Sequence, residues 1–386
     1  MYQKLKEELS RLHKKYIKVW QDIVAIESPT MHKVGVDAVG AYFTRLAEEL
    51  GFAVEILPCE RVGNAICITM NPEATGKPIA FSGHMDTVFP VGSFGEIPVR
   101  IEGDCIYGPG VKDCKGGTVA ALMAMEALKN AGFTEAKVML LLQSDEENGS
   151  KESGKATIRF ICEKAKDCVA FFNCEGMHGE ADLTLYRKGI LRYTFKVKGI
   201  AAHAALCHSE GKSAILEAAH KIIAIEKYKE KEGITMTCGL IQGGTAANTV
   251  PEECSFTVDV RYSTNDEMLQ ADRVIKEIAS TSYTGNTTCE LIKTGDRLAM
   301  EKHPRNYDLL DKVNAIFEEN GMAVCIPAGA TGGSDAAYTT DAGIPTLDSI
   351  GVFGKGIHTL QEVAYLSSLP LSATRLAFCA VGLQKE

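Results

Sequence analysis

The sequence predicts an α/β protein in which a mixed sheet flanked by helices is interrupted by a smaller inserted α+β domain. Up to about residue 176, short apolar strand patterns alternate with helical patterns, which indicates a sheet covered by helices. From about residue 187 the order becomes strand–helix–strand–strand–helix–strand, which is the split βαβ arrangement. The 386 residues also exceed what one ordinary hydrophobic core organises.

The first half of the chain carries the helix–strand alternation. Residues 40–50 and 118–132 have helical patterns, and the second one ends at a glycine, Gly132. Strand patterns cover residues 53–58, 64–70, 78–88, 136–147 and 168–176, and one more helical pattern covers residues 156–166.

The inserted domain begins with a strict alternation of apolar and polar residues over 191–199, typical of a half-exposed strand. The following patterns are a helix over 213–230, strands over 234–243 and 254–262, a helix over 265–281 and a strand over 288–295. Helix–strand alternation then returns and ends in a C-terminal helix. We therefore predict a main domain formed by residues 1–186 and 297–386, with residues 187–296 inserted between its two parts.

Composition excludes several classes of protein. Apolar residues make up 45% and charged residues 24%, as in folded soluble proteins, and the net charge of -9 argues against a general nucleic-acid binder. No stretch reaches the roughly 18 apolar residues of a membrane span, and no signal peptide is apparent, so we expect no membrane partner. The thirteen cysteines include no C-x-x-C pair, which favours a reducing cytoplasm over a disulfide framework or a thiolate zinc site.

Acidic and imidazole side chains follow several of the predicted strands. In α/β sheets functional groups collect beyond the carboxyl ends of strands. The residues at such places are His84, Asp86, Asp113, Asp145, Glu146, Glu147, Glu175 and His358. Each alone could be an ordinary surface residue. Together, two imidazoles and several carboxylates suit a pair of zinc ions, because a cation removes the repulsion between converging acids.

The residue types suggest different roles within such a site. Asp113 is a natural bridging ligand because its short side chain lies on a Gly-rich turn. Glu146 and Glu147 are adjacent and must point in different directions, so one would bind metal while the other acts as general base. Asp86 lies two residues after His84, on the same side of the strand, and would accept a hydrogen bond from that imidazole.

Several blocks of the sequence carry a family resemblance. The stretches "GHMDTVFPVGSFGEIPVRIEGDCIYGPGVKDCKGG", "SDEENGS", "KGIAAHA", "GGTAANTVPEECSFTVDVRY" and "TGGSDAAYTTDAGIPTLDSIGVFGKGIHTLQE" occur in this order over about residues 80–365. They resemble the family of dinuclear zinc hydrolases that includes glutamate carboxypeptidase, acetylornithine deacetylase and succinyl-diaminopimelate desuccinylase. The first block looks most like the glutamate carboxypeptidase branch.

The resemblance implies a ligand set. It places His84, Asp113 and Glu175 on one zinc and Asp113, Glu147 and His358 on the other. It makes Glu146 the general base and Asp86 the aspartate behind the first histidine. Cobalt or manganese would be compatible with the same ligands.

The resemblance also implies a zinc-peptidase-like catalytic domain with a ferredoxin-like lid over residues 187–296, through which the protein forms a homodimer. His203 matches a lid histidine that supports the oxyanion in the partner subunit's active site. The positions that match substrate contacts are Arg187, Asn248, Arg261, Gly333 and Ser334. For Arg261 an ion pair on the face of the strand is the alternative.

Two details concern individual residues. In similar enzymes the peptide bond after the bridging aspartate is cis, so we predict a cis bond between Asp113 and Cys114, with Cys114 outside the ligand set. His178 and His208 match no motif position and are expected to face solvent.

The predicted function is metal-dependent hydrolysis of an amide or peptide bond in a small carboxylate-bearing substrate, with metal-bound water as nucleophile. A carboxypeptidase of the glutamate carboxypeptidase type is preferred. The alternatives are an N-acyl amino acid deacylase resembling acetylornithine deacetylase, and a di- or tripeptidase. A non-catalytic binding protein on the same scaffold is the alternative from another class; intact ligands and Glu146 argue against it.

Overall fold

A computed structural model describes residues 1–207, 209–228 and 233–385 and divides into two compact units. The first comprises Met1–Leu185, Lys302–Gly329 and Ser334–Glu386, and the second comprises Tyr186–Glu301 and Ala330–Gly333. The short segment Ala330–Gly333, which the sequence analysis assigned to the main domain, belongs to the second unit. A hydrogen bond attaches this segment to the second unit, because Lys188 N donates to Ala330 O at 3.1 Å.

The helices and strands of the described residues are as follows. The α-helices are α1 (Tyr2–Ala25), α2 (Lys33–Glu49), α3 (Gly116–Ala131), α4 (Ala156–Ala165), α5 (Ala214–Glu226), α6 (Asn265–Ser280), α7 (Pro304–Glu319), α8 (Ala336–Asp341) and α9 (Ser368–Gly382). The strands are β1 (Ala53–Leu57), β2 (Ala65–Met70), β3 (Ile79–His84), β4 (Arg100–Glu102), β5 (Cys105–Tyr107), β6 (Val138–Gln143), β7 (Ala170–Asn173), β8 (Asp182–Arg187), β9 (Gly189–Lys198), β10 (Ala202–His203), β11 (Thr235–Gly243), β12 (Thr249–Val250), β13 (Glu253–Tyr262), β14 (Thr288–Arg297), β15 (Ile326–Ala330), β16 (Thr346–Asp348), β17 (Gly354–Lys355) and β18 (Val363–Tyr365).

The first unit is built on an eight-stranded mixed sheet in the order β1-β2-β6-β3-β7-β16-β8-β15. Strands β6, β3 and β7 are parallel neighbours, with His84 opposite Gln143 and Ser82 opposite Asn173. All three strands are fully buried, and their apolar runs are typical of parallel strands covered on both faces. Their carboxyl ends therefore lie side by side at one edge of the sheet.

Helices α1, α3 and α9 pack against one another in the first unit. Helix α1 is amphipathic, and its buried residues recur every three or four positions, as a core-facing stripe requires. They are Leu5, Leu9, Leu12, Tyr16, Val19, Trp20, Ile23 and Val24. Helix α3 is buried over nearly its whole length because its residues are almost all small or apolar. This packing supports the turn that precedes α3, since Trp20 Nε1 donates to Val111 O at 3.2 Å.

A second, small sheet in the first unit has the order β17-β18-β5-β4. Strand β18 pairs with β5, so that Val363 lies opposite Tyr107. This pairing brings the loop between β17 and β18 next to the Gly-rich turn that follows β5.

The second unit contains an antiparallel sheet in the order β11-β13-β9-β14 with helices α5 and α6, and a two-stranded ribbon of β10 and β12. Its strands and helices follow the predicted split βαβ order. The core between sheet and helices includes Phe195 and Phe256, whose rings stack at 4.5 Å. Helix α6 begins with a capping box formed by Thr264 and Glu267. The helix predicted over 213–230 ends at Glu226, and residues 229 and 230 lie outside the described residues.

The remaining sequence expectations concern the cysteines, membrane-spanning segments and two histidines. All thirteen cysteines lie within the described residues and are free thiols. Among the described helices, none combines the length and the apolar character that a membrane crossing needs. His178 is exposed, as predicted, whereas His208 lies outside the described residues.

Candidate active site

The candidate site lies where the carboxyl ends of β3, β6 and β7 meet. His84 is the last residue of β3, Glu146 and Glu147 lie in the turn after β6, and Glu175 follows β7 by two residues. The predicted strands cover 78–88, 136–147 and 168–176, and in the structure each ends earlier, at His84, Gln143 and Asn173. The functional side chains are therefore on the turns beyond the strands, where they can converge.

His84 forms the first half of the site. Its imidazole is buried, and Nε2 lies 3.0 Å from Asp113 Oδ1 and 3.6 Å from Glu175 Oε1. Its other ring nitrogen, Nδ1, lies 2.9 Å from the main-chain oxygen of Asp86 and 3.4 Å from the carboxylate Oδ1 of the same residue. The nearer acceptor for Nδ1–H is thus the main chain, which leaves Nε2 to face the two carboxylates.

His358 forms the second half. Its Nε2 lies 3.2 Å from Asp113 Oδ2 and 3.3 Å from Glu147 Oε2. Asp113 therefore directs one oxygen toward each histidine. The two halves each contain one imidazole and one further carboxylate, and they share Asp113.

The electrostatics of this cluster favour a bound cation. Burial and then the charge of Asp113 raise the pKa of Glu147 to about 8, and the same two causes raise the pKa of Glu175 well above its usual range. Burial opposes ionisation of Asp113, but hydrogen bonds with His358 and His84 outweigh it and hold the pKa of Asp113 well below its usual range. Three half-buried carboxylates at these distances repel one another unless positive charge is present.

The donor atoms also fit metal ions geometrically. Two ligands of one tetrahedral zinc, at bond lengths of about 2.0–2.2 Å, lie about 3.3–3.6 Å apart. The imidazole–carboxylate distances in the two halves are 3.0–3.6 Å. The atoms of His84, Asp113 and Glu147, which come from both halves, form one group that could hold a metal. The residues present therefore fit a shared two-metal site.

The turn that carries Asp113 is held by an unpredicted residue, Glu362. Its carboxylate accepts main-chain hydrogen bonds from Gly110 at 3.0 Å, Lys112 at 2.9 Å and Asp113 at 3.0 Å. Gly110 has a φ of 75°, a left-handed conformation that glycine adopts most readily. The peptide bond between Asp113 and Cys114 is cis, as predicted.

Asp86 acts on the turn that carries the two glutamates. Its carboxylate is buried; Oδ1 accepts from Glu146 N at 3.1 Å, and Oδ2 accepts from Glu147 N at 3.2 Å. The hydroxyl of Thr30 donates to Oδ2 at 2.7 Å. Asp86 thus fixes the main chain from which Glu146 and Glu147 point.

Cys114 is buried beside the first half of the site. Its Sγ accepts the main-chain N–H of His84 at 3.3 Å and lies with His84 and Glu175 in a second group that could hold a metal. Burial raises the pKa of this thiol well above its usual range. Strand β3 can lie this close to the Cys114 sulfur because residue 83 is glycine. A Cβ at that position would lie 2.8 Å from the sulfur. That Cys114 is not a ligand stays a prediction.

Two of the predicted lid residues lie together in the second unit. His203 is exposed at the end of β10, and its Nδ1 accepts the main-chain N–H of Ala205 at 3.2 Å. Asn248, also exposed, precedes β12, and its main-chain oxygen accepts from Ala204 N at 3.0 Å. The ribbon of β10 and β12 therefore places these residues side by side.

The two predicted substrate-binding arginines converge on one segment of the second unit. Arg187 Nη1 donates to Gly332 O at 3.3 Å, and Arg261 Nη1 donates to Thr331 O at 3.1 Å. Arg261 also forms an ion pair with Asp259, with Nε 2.6 Å from Oδ1. The strand-face ion pair considered as the alternative for Arg261 is present.

Gly333 belongs to the second unit and Ser334 to the first, and the two residues have different surroundings. At Gly333 a Cβ would lie 2.5 Å from Cδ of Arg297, so the arginine approaches the backbone closely. Ser334 is buried, and its hydroxyl accepts from Asn173 Nδ2 at 2.9 Å and from Ala336 N at 3.2 Å. A substrate contact by Ser334 stays a prediction.

Sequence reasoning missed three residues that support the site. Glu362 lies four residues after His358, and its position near a predicted ligand is a signal that could have identified it. Thr30 gave no signal, because its partner Asp86 is 56 residues away. Lys115 is fully buried; its Nζ donates to Ile26 O at 2.7 Å, and burial lowers its pKa to about 7.

Known proteins resemble this chain over most of its length. Carboxypeptidase G2 of Pseudomonas sp. (strain RS-16) is 29% identical over 361 residues, which cover 92% of this chain and 86% of that protein. Succinyl-diaminopimelate desuccinylase of Dinoroseobacter shibae is 23% identical over 320 residues, covering 76% of this chain and 80% of the relative.

Solved structures share the fold. Aminopeptidase PepT from Bacillus cereus has a TM-score of 0.79 and 20% identity, covering 96% of this chain and 98% of its own. A dinuclear metal binding peptidase of the M20 family from Bacillus subtilis has a TM-score of 0.67 and 16% identity, covering 97% and 99%. These likenesses confirm the predicted α/β architecture. Residues 80–380 match peptidase family M20/M25/M40, and the chain therefore belongs to this family of metallopeptidases, which are hydrolases of amide bonds.

Proposed function

We propose that the protein is a two-zinc hydrolase of the glutamate carboxypeptidase type. It cleaves the amide bond before a C-terminal residue and releases that residue, which bears the carboxylate. The observation that carries this proposal is the pair of imidazole–carboxylate half-sites that share Asp113. His84, Asp113 and Glu175 would hold one metal, and Asp113, Glu147 and His358 the other. Mixed imidazole and carboxylate ligands suit zinc, and cobalt or manganese would fit the same donors.

Glu146 is the proposed general base. Metal ions, when bound here, would polarise the scissile carbonyl and lower the pKa of a coordinated water. The Glu146 carboxylate would take a proton from the attacking water and return it to the nitrogen of the leaving amine. Glu146 is buried, and Asp86 fixes its main chain through the hydrogen bond to Oδ1. Asp86 holds the main chain of Glu147 as well, and what distinguishes Glu147 is its contact with His358 through Oε2.

The second unit is the proposed lid and dimerisation domain. Strand β11 is at the edge of its sheet, and an edge strand can pair with another chain. Exposed apolar side chains on β11 and on the neighbouring α5 support self-association. They are Leu216, Ile223, Leu240 and Ile241. In such a homodimer His203 would donate to the oxyanion in the partner's site.

Recognition of the substrate carboxylate is assigned to two arginines of the second unit. The guanidinium groups of Arg187 and Arg261 both lie against the segment before Gly333, and an arginine fork suits a carboxylate. Asn248 and Ser334 complete the proposed contacts. The carboxypeptidase reading is supported by the resemblance to carboxypeptidase G2. An N-acyl amino acid deacylase is the second candidate, favoured by the desuccinylase relative.

A substrate panel tests the proposal. Purified protein loaded with Zn²⁺ or Co²⁺ is given dipeptides, N-acyl amino acids and the same compounds with the α-carboxylate blocked as an amide. We expect hydrolysis of one carboxylate-bearing class and loss of turnover on blocking, because the arginines lose their partner. Undiminished hydrolysis of the blocked amides would overturn the carboxylate assignment. Protein that binds no metal and hydrolyses nothing would favour the non-catalytic binding protein.

A further inference from the structure

Glu362 is a buried carboxylate whose two oxygens are both occupied by main-chain donors. Oε2 accepts from Gly110 N at 3.0 Å, while Oε1 accepts from Lys112 N at 2.9 Å and Asp113 N at 3.0 Å. The side chain is inaccessible to solvent. Three N–H groups converging on one carboxylate form a set of charge-assisted hydrogen bonds, which are stronger than neutral ones.

These donors have no regular secondary structure to satisfy them. Gly110 is left-handed, and Asp113 has φ −115° and ψ 90°, so the turn departs from helical geometry where it presents the shared ligand. A buried main-chain N–H without an acceptor is unfavourable, because it has lost its hydrogen bond to water. The conformation of the turn that carries Asp113 therefore depends on an acceptor supplied from elsewhere in the chain.

The acceptor comes from the segment that carries the other histidine. Glu362 lies four residues after His358, and its own main-chain oxygen accepts from Gly108 N at 3.4 Å. The next residue, Val363, pairs with Tyr107 in the small sheet. One residue thus joins the turn of Asp113 to the loop of His358 through both its side chain and its main chain.

We propose that Glu362 is a positioning residue that sets the Asp113 carboxylate relative to His358 and thereby maintains the metal site between them. This inference rests on the metal-dependent hydrolysis proposed above. On the opposite side of the cluster Asp86 holds Glu146 and Glu147 in the same way. Loss of Glu362 should weaken the His358 half most, because there it disturbs both Asp113 and the loop of His358. The other half shares Asp113 but should weaken less, because His84 is held through β3 and the main-chain oxygen of Asp86.

The test is a metal titration of Glu362→Gln in the full-length protein. Chelator-treated protein is titrated with Co²⁺, followed by calorimetry and visible absorption. Wild type should bind two equivalents. The variant should bind the metal of the His358 half about 10–100-fold more weakly, the usual effect of losing a residue that orients a ligand. The other metal, which shares Asp113, should be weakened by a smaller factor. In a His358→Ala background, adding Glu362→Gln should weaken the remaining metal by less than it weakens the metal of the His358 half in the wild-type background.

Glu126→Gln is the matched control. Glu126 is also a buried carboxylate of the first unit, but its partners are Tyr16 and Lys15 on α1. It should lose thermal stability without a change in Co²⁺ affinity. If Glu362→Gln does not fold, Glu362→Asp keeps the charge at a shorter reach and should weaken the same metal by less than about 10-fold.

The results of the Co²⁺ titrations distinguish failure of the positioning role of Glu362 from failure of the proposed metal-dependent function. Two equivalents bound by Glu362→Gln at wild-type affinities, whatever its melting temperature, would overturn the positioning role while leaving the two-metal site intact. Equal weakening of both metals would also overturn it, because the effect would not be specific to the His358 half. Wild-type protein that binds no Co²⁺ would overturn the proposed function and this inference together.

Discussion

Replacing Asp86 by asparagine tests whether this carboxylate acts mainly on the main chain of Glu146 and Glu147. The change keeps the size of the side chain and removes its charge. Asp86 Oδ1 accepts from Glu146 N, and Oδ2 accepts from Glu147 N and the Thr30 hydroxyl. An asparagine has a single oxygen, so at least one of the two main-chain N–H groups would face an amide donor instead of an acceptor.

The magnitude follows from those contacts. One buried donor without a partner costs about 1–3 kcal/mol, and the remaining bonds lose about 1 kcal/mol because they are no longer charge-assisted. We expect the free energy of unfolding to fall by about 2–4 kcal/mol. Displacement of Glu146 should lower kcat by about 10²-fold. The metal content should be retained, because His84 Nδ1 lies nearest the main-chain oxygen of residue 86, which asparagine also has.

Urea unfolding, metal content and kcat on the same preparation check this prediction. Thr30→Val is the control, since it removes only the hydroxyl donor; it should lose about 1.5–3 kcal/mol of stability and keep kcat near wild type. Unchanged unfolding energy and unchanged kcat in Asp86→Asn would refute the reasoning. Loss of metal at unchanged stability would show instead that the Asp86 carboxylate controls the tautomer of His84.

Other predictions concern the second unit and the thiols. Lys221→Met should lower the free energy of unfolding by about 3–5 kcal/mol, because it leaves the buried Glu217 without its cation 3.1 Å away. Lys276→Met, which breaks an exposed ion pair, should cost under about 0.5 kcal/mol; equal losses in urea unfolding would contradict the argument from burial. Cys207 is exposed and should react with maleimide in the native protein. Cys168 is buried, burial raises its pKa to about 12, and it should react only on unfolding. Mass spectrometry of peptides labelled before unfolding checks this, and label on Cys168 but not on Cys207 would contradict it.

Much of the site could be predicted because apolar runs in the sequence show where the buried strands end. The apolar run before His84 predicts a buried strand, and parallel pairing with β6 and β7 puts its end beside those of its neighbours. Glu147, Glu175 and His84 were therefore identifiable as a cluster before their distances were known. The split βαβ order of the second unit followed in the same way from alternating apolar residues.

The rest depended on contacts that sequence patterns do not encode. The carboxylate of Glu362 satisfies N–H groups about 250 residues earlier. Its position near His358 marks Glu362 as a candidate site residue, but the sequence does not indicate which N–H groups it binds. The hydroxyl of Ser334 accepts a hydrogen bond from Asn173, a contact that the motif position of Ser334 does not indicate. The segment Ala330–Gly333 joined the second unit through hydrogen bonds to Lys188 and Arg187 rather than through its own pattern.

The measurement that tests the central claim most directly is metal content and turnover together, on wild type and Glu146→Gln. The account predicts about two metals in both proteins and a kcat about 10²–10⁴-fold lower in the variant, because only the proton-transferring carboxylate is lost. A variant as active as wild type would show that Glu146 is not the base. One metal or none in fully active wild type would contradict the shared two-metal site.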